Sequence, residues 1–295
     1  MKKPNPSRKR NVFELQDTLK TTYGDIELRR TLRLAKKQAK LYNEDDLVLR
    51  KRTYPMFDET NIYLTSNTVI ETARKLAKEN PAGTVGILSF ASATNPGGGV
   101  TYGSKAQEEC ICRSTPLFEV LQMETFKKGY YDVHREEKNG AYSDRIIYVP
   151  HMTVMKSDEP IWDSKRKMAR LFSYDPKDRF EVSVISAAAP NLRALKEVPD
   201  GVIAGIMHSR IVRILEVAYA NGIDNLVLGA FGCGVFQNDP YKVACIFDDC
   251  LNEEDSHGEV RKSHFKNVVF SVRANGKYEI ENYEGFHQVF KEEDE

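Results

Sequence analysis

Val85-Gly-Ile-Leu-Ser-Phe90, running directly into Ala91-Ser-Ala-Thr-Asn-Pro-Gly-Gly-Gly-Val100, is the stretch from which the rest of the chain is read. The first six residues form a compact apolar run that reads as a buried strand, and a helix is expected to start near Gln107. Between them, three consecutive glycines expose backbone N–H groups and permit φ > 0, so a phosphate can approach the backbone closely. A second loop, Gly229-Ala-Phe-Gly-Cys-Gly-Val-Phe-Gln-Asn-Asp-Pro240, again follows an apolar run. Asp239 suits a helix N-cap and Pro240 the first helical position, so this loop should lead into the positive end of a helix dipole. Neither loop matches GxxxxGK[ST] or GxGxxG, which points away from a P-loop ATPase and from a dinucleotide-binding dehydrogenase. Tight turns would explain the glycines of either loop alone. Two such loops at the ends of two strands point to a bound anion.

Outward from these loops, short apolar runs alternate with amphipathic stretches. Strands are expected at Asn61 to Leu64, Arg145 to Val149, Val182 to Ser186, Asn225 to Ala230 and Asn267 to Val272. Thr68 and Glu71 form a capping box that opens a helix through Leu76, a second helical stretch is expected from Gln107 to Leu121, and a third from Arg210 to Asn221, stopped by Gly222. Leu28, Leu32, Ala35 and Ala39 lie on one face of a helix over residues 28–42. The alternation implies an α/β fold, a mixed sheet with helices on both faces, and ligands at the carboxyl ends of its strands. Residues 1–60 are expected to form a basic tail and helical extension, and residues 61–295 the main domain.

The 295 residues, 41% hydrophobic and 29% charged, suffice for one sizeable core. Lys+Arg and Asp+Glu both number 43, so anion recognition has to be local, and a nonspecific DNA coater is excluded. Basic residues from Lys2 to Arg10 and the acidic end Lys291-Glu-Glu-Asp-Glu295 read as solvated tails. No apolar run approaches the roughly 18 residues of a membrane span, and the start lacks a secretory h-region. A soluble, cytoplasmic protein, monomeric by default, is therefore expected, with no membrane contact. Five cysteines suit a reducing compartment. Cys110 and Cys112 have one residue between them and no histidine pair nearby, and the six histidines form no ligand spacing, so no metal and no cofactor are expected. Trp162 reads as lying under a surface segment, and residues 122–140 as a solvated loop, with the cleft wall as the alternative.

Seven residues after Gly99 comes Gln107-Glu108-Glu109. Acids are favoured at any helix N-terminus by the dipole, but GGG-x7-QEE together with the second loop resembles the signature of the microbial-type poly(ADP-ribose) glycohydrolases. Tyr142 to Pro150, Val182 to Asn191 and the closing strand near Val268 agree with that family in order, over residues 60–275. The resemblance implies a three-layer α/β/α macrodomain-like core with ADP-ribose between the two glycine loops, and poly(ADP-ribose) or ADP-ribosylated proteins as partners. By position Glu109 matches the family's catalytic acid and Glu108 the carboxylate that holds ribose hydroxyls. Asn95 matches a residue near the distal ribose, Gln107 completes the motif, and Phe236, beside Val235, matches an aromatic that orients that ribose. The far end of the ribose is then closed, which implies cleavage from polymer ends.

Glycosidic cleavage needs an acid at the leaving oxygen and a base for water. Adjacent glutamates on a helix project about 100° apart and cannot act as an opposed pair, so one carboxyl does both tasks. Glu109, its pKa raised by partial burial, is expected to be that group, and Glu108 to position the sugar. Backbone amides of Gly97, Gly98 and Gly99 and of Gly232, Cys233, Gly234, Val235 and Phe236 are expected to hold the diphosphate. Phe236 could equally be a core residue, and Cys233, with no histidine near in sequence, reads as a small buried side chain. Two other readings stay open: a reader of ADP-ribose that does not cleave it, which the QEE triplet argues against, and a hydrolase of a mono-ADP-ribosyl linkage.

Overall fold

Ile87 and Leu88 are neighbours in the chain and belong to different cores, because strand side chains alternate with a period of two. Val182, Val184, Val227 and Val269 join Ile87 on one face; Ile185, Leu226, Leu228, Val268 and Phe270 join Leu88 on the other. Continuous apolar runs of this kind are what a sheet covered on both faces requires. The computed structural model describes residues 6–46, 48, 56–165 and 167–292.

In chain order the elements are α1 (Pro6–Gly24), α2 (Ile26–Gln38), β1 (Lys40–Tyr42), β2 (Asn61–Thr65), α3 (Val69–Glu79), β3 (Val85–Phe90), α4 (Gln107–Ser114), α5 (Leu117–Leu121), α6 (Glu124–Phe126), α7 (Val133–Glu137), β4 (Ile146–Val154), β5 (Lys156–Asp163), β6 (Met168–Ser173), β7 (Phe180–Ala187), α8 (Asp200–Ala220), β8 (Asn225–Leu228), α9 (Pro240–Asn252), β9 (Asn267–Ser271) and α10 (Lys277–His287). The main sheet has the order β1-β4-β7-β3-β8-β9-β2. Pairings from β7 through β2 are parallel, while β4 runs antiparallel to both β7 and β1. The mixed sheet between α2, α3, α4 and α5 on one side and α8, α9 and α10 on the other is the expected three-layer α/β/α arrangement. Strand β3 lies between β7 and β8, so the loops leaving β3 and β8 emerge side by side.

Several boundaries differ from those read in the sequence. The helix expected over 28–42 ends at Gln38: Ala39 turns extended (ψ 140°) and the chain becomes an edge strand against β4. The stretch 107–121 divides because Pro116 forces Thr115 into the extended region (φ −137°, ψ 164°). Helix α8 begins ten residues before Arg210. Residues 122–140 are not a solvated loop: a π-helical turn, Lys127–Asp132, joins α6 to α7, and Phe126, Tyr130, Tyr131 and His134 are all buried. Trp162 is not covered; it is 68% exposed on the β5–β6 hairpin, which composition did not reveal. At the N-terminus the basic stretch is helical from Pro6, and residues 1–5 lie outside the described residues. At the other end Lys291 O accepts from Leu64 N at 2.7 Å, so the acidic tail docks on β2 as far as it is described; residues 293–295 lie outside.

Helix α1 is fastened by buried charge. Lys156 Nζ binds Glu14 Oε2 at 3.2 Å and Asp17 Oδ2 at 2.7 Å, and Arg170 binds the same two carboxylates from β6. Pairs buried this deeply contribute geometry more than net stability, since desolvation opposes the attraction. None of the described helices is long and apolar enough to cross a membrane.

Candidate active site

The acid pair stands where it does because Gln107 ties the start of α4 to the end of β3. Its Nε2 donates to Leu88 O at 2.6 Å and its Oε1 accepts from Phe90 N at 2.9 Å. Gln107 touches the cavity described below, and both ends of its amide are engaged by strand backbone. The first turn of α4 then places Glu108 and Glu109 against the glycine loop, 3% and 6% exposed. Glu109 Oε1 accepts from Gly99 N at 2.8 Å and Glu108 Oε2 from Ser92 N at 2.8 Å. The second oxygen of each, Glu109 Oε2 and Glu108 Oε1, is buried with no hydrogen-bond partner in the protein. A buried oxygen left in that state is costly, and a polar group of a ligand would satisfy it.

The carboxyl that burial pushes well above the usual range is Glu108, with the charge of Glu109 adding to the effect and the amides of Ser92 and Gly97 opposing it. A carboxyl whose folded pKa is raised favours folding while protonated, and that contribution is lost as pH rises from the ordinary carboxylate range through the raised value. Glu108→Gln should therefore weaken the fall in stability over that window and leave the variant more stable than wild type at neutral pH. Urea denaturation at several pH values checks this; parallel wild-type and variant curves would refute it.

The two loops contribute differently. Gly97 and Gly98 are both left-handed, φ +68° and +59°, a conformation in which a side chain is strained. Gly98 N donates to Asn95 O at 2.9 Å and Gly99 N to Glu109, so these two amides hold the loop and the acid rather than the diphosphate expected on them. In the second loop Cys233 N is likewise engaged, by Ala230 O at 3.2 Å. Among the described residues the N–H groups of Gly232, Gly234, Val235 and Phe236 have no acceptor, which makes this loop the better anion cradle. Asp239 caps α9 as expected, accepting from Lys242 N at 3.0 Å.

Between the loops lies a cavity of ≈ 580 Å³, within the roughly 300–1,000 Å³ of small-molecule sites. Asn95, Gly98, Gly99, Gln107, Glu108, Glu109, Gly232, Gly234, Val235 and Phe236 line it. Gly97 and Cys233 do not: a Cβ on Gly97 would meet Phe118 and Cys112, and Cys233 turns its sulfur back to Phe231 O at 3.6 Å. Burial pushes the Cys233 thiol pKa up, which disfavours the thiolate a nucleophile needs.

Sequence reasoning missed the brace behind the lips of this cavity. Burial lowers the His134 pKa to about 4, so the ring is neutral at neutral pH. Its Nδ1–H donates to Ala93 O at 3.2 Å and its Nε2 accepts from the Ser143 hydroxyl at 2.6 Å. Arg135 Nε donates to Thr94 O at 2.8 Å. Tyr142, left-handed at φ +56°, packs between His134 (5.7 Å) and Phe236 (5.9 Å). The segment from α6 to β4 thus joins the first loop to the second. Among the described residues, two side-chain groups elsewhere have metal-ligand reach, His208–Cys250–Glu253 and Asp255–Glu259–His264, and neither lines the cavity. Arg261 already pairs with Glu253 at 2.9 Å and His264 with Asp255 at 2.8 Å.

The family model described as microbial-type PARG, catalytic domain, matches residues 14–157. Among solved structures, the poly(ADP-ribose) glycohydrolase of Thermomonospora curvata is 27% identical with a TM-score of 0.78, over 95% of this chain and 99% of that one. The same protein bound to the inhibitor ADP-HPD gives 28% and 0.76 over the same shares. The poly(ADP-ribose) glycohydrolase of Deinococcus radiodurans in complex with ADP-ribose is 30% identical, TM-score 0.69, over 88% of this chain and 96% of that one. A comparison with curated protein sequences returned no match.

Proposed function

The chain belongs to the microbial-type poly(ADP-ribose) glycohydrolase family, and from that membership we propose that it hydrolyses the ribose–ribose O-glycosidic bonds of poly(ADP-ribose) and releases ADP-ribose. The observation that carries the reading is the state of Glu109: buried in the cavity wall, one oxygen held by Gly99 N–H and the other without a partner.

In the mechanism we propose, the second loop binds the diphosphate through its N–H groups and fixes the anomeric carbon beside Glu109. Glu109 gives its proton to the departing ribose oxygen as the C–O bond breaks and positive charge develops on the sugar. The resulting carboxylate takes a proton from water, whose oxygen bonds to the anomeric carbon, and the acid is restored. Glu108, held by the Ser92 N–H, holds sugar hydroxyls and does not exchange protons with the reacting atoms. Asn95 and Phe236 orient the distal ribose; Val235 and Phe236 close its far side, which favours cleavage from polymer ends. Its five cysteines are all free thiols, consistent with a reducing, cytoplasmic setting.

Incubation with auto-modified poly(ADP-ribose) polymerase, followed by chromatography of the products, tests the reading. Free ADP-ribose should accumulate from the first turnovers, without a phase of intermediate oligomers. Binding of ADP-ribose with no release would leave a reader or a hydrolase of a mono-ADP-ribosyl linkage.

A further inference from the structure

The turn that aims Glu109 is held from behind by the N-terminal helix. Gly99, whose N–H binds Glu109, also accepts through its carbonyl from Tyr102 N at 3.0 Å and Ser104 N at 3.1 Å, closing a tight turn over Val100–Tyr102. Gly103 ends that turn in the left-handed region, φ +75°, and a Cβ there would run into the Arg8 backbone, so α1 lies directly against it. The side chain of Asn11, 5% exposed, donates Nδ2–H to Gly103 O at 3.0 Å. Farther along α1 the Thr18 hydroxyl donates to Arg113 O, and Arg113 Nη1 donates to Ser104 O at 2.6 Å. The charges of buried Glu14 and half-buried Asp17 fix where α1 can sit. Asn11 and Arg8 both precede residue 14, where the family match begins.

We infer that Asn11 is a positioning residue: its amide fixes Gly103 and, through the turn, the Gly99 N–H that orients the Glu109 carboxyl. The inference rests on Glu109 being the acid of the glycohydrolase reading. A small displacement of that carboxyl slows the chemical step while leaving the diphosphate loop, and so binding, unaltered.

Asn11→Ala removes the amide, and Asn11→Asp keeps its shape without a donor; Lys9→Ala on the exposed side of α1 is the control. In the full chain, both Asn11 variants should lower kcat for ADP-ribose release about tenfold with KM within about twofold of wild type. Amide hydrogen exchange over residues 98–104 should rise by about tenfold in both, with β3 and β8 unchanged. Wild-type kcat in Asn11→Asp would overturn the inference, and so would exchange that is unaltered at 98–104 or that rises evenly across the core. If wild type releases no ADP-ribose the glycohydrolase reading fails instead, while exchange at 98–104 still decides whether Asn11 holds the turn.

Discussion

Glu109→Gln should lower ADP-ribose release by about 10²–10⁴-fold, the range for removing a positioned acid and base, while affinity for ADP-ribose stays within about threefold of wild type. Glutamine has the shape of glutamate, and its Oε1 can still accept from Gly99 N–H, so the loop has no cause to move. What is lost is the proton at the other atom, where an amide replaces an oxygen that has no partner in the protein. Binding survives because the free N–H groups belong to the second loop, remote from α4 in sequence. Chromatography of released ADP-ribose together with calorimetric titration of ADP-ribose reads both quantities. A variant that keeps more than about a tenth of wild-type turnover would remove Glu109 from the acid role and turn attention to Glu108, the carboxyl that burial keeps protonated to higher pH.

The parts of this site that were legible in the sequence are those with a period or a composition. Strand β3 has the bounds its apolar run implies, and the loops after β3 and β8 are marked by glycines that the backbone uses at φ +68°, +59° and +77°. Thr68 caps α3, its hydroxyl accepting from Glu71 N at 3.3 Å, as the S/T-x-x-E pattern implies. Illegible were features that depend on which atom faces which. Gly98 and Gly99 read as phosphate donors, yet the Gly98 amide closes a local turn on Asn95 O and the Gly99 amide binds Glu109, which the packing of α4 brings to it. The brace from α6 to β4 was hidden by composition: Lys127, Lys128 and Asp132 make the segment look solvated, although Phe126, Tyr130, Tyr131 and His134 are buried. The β5–β6 hairpin inverts composition outright, burying Lys156 and Arg170 on α1 carboxylates while exposing Trp162.

Gly98→Ala should lower turnover far more than its effect on stability would suggest. A Cβ at this position would stand 2.6 Å from Glu109 Oε1 and 3.0 Å from Glu108 Oε2, so the new methyl meets both carboxyls of the motif at once. Rotating the glutamates away breaks their bonds to Gly99 N and Ser92 N. Moving the loop instead breaks Gly98 N to Asn95 O and displaces the Gly99 amide. Either response shifts the acid by a fraction of an ångström or more, and about 10²-fold in kcat follows from a misplacement near 1 Å. The left-handed backbone, φ +59°, adds a conformational cost of about 1–2 kcal/mol to the folded state, too little to unfold a domain of this size. Gly205→Ala is the matched control, since it lies in α8 with nothing within 4 Å of the added carbon, and should leave turnover intact and raise stability slightly. Thermal melts paired with initial rates of ADP-ribose release separate the two effects. A Gly98→Ala protein that melts a few degrees low and turns over at the wild-type rate would mean that the carboxyls can retreat at no cost, and that the three glycines serve the turn alone.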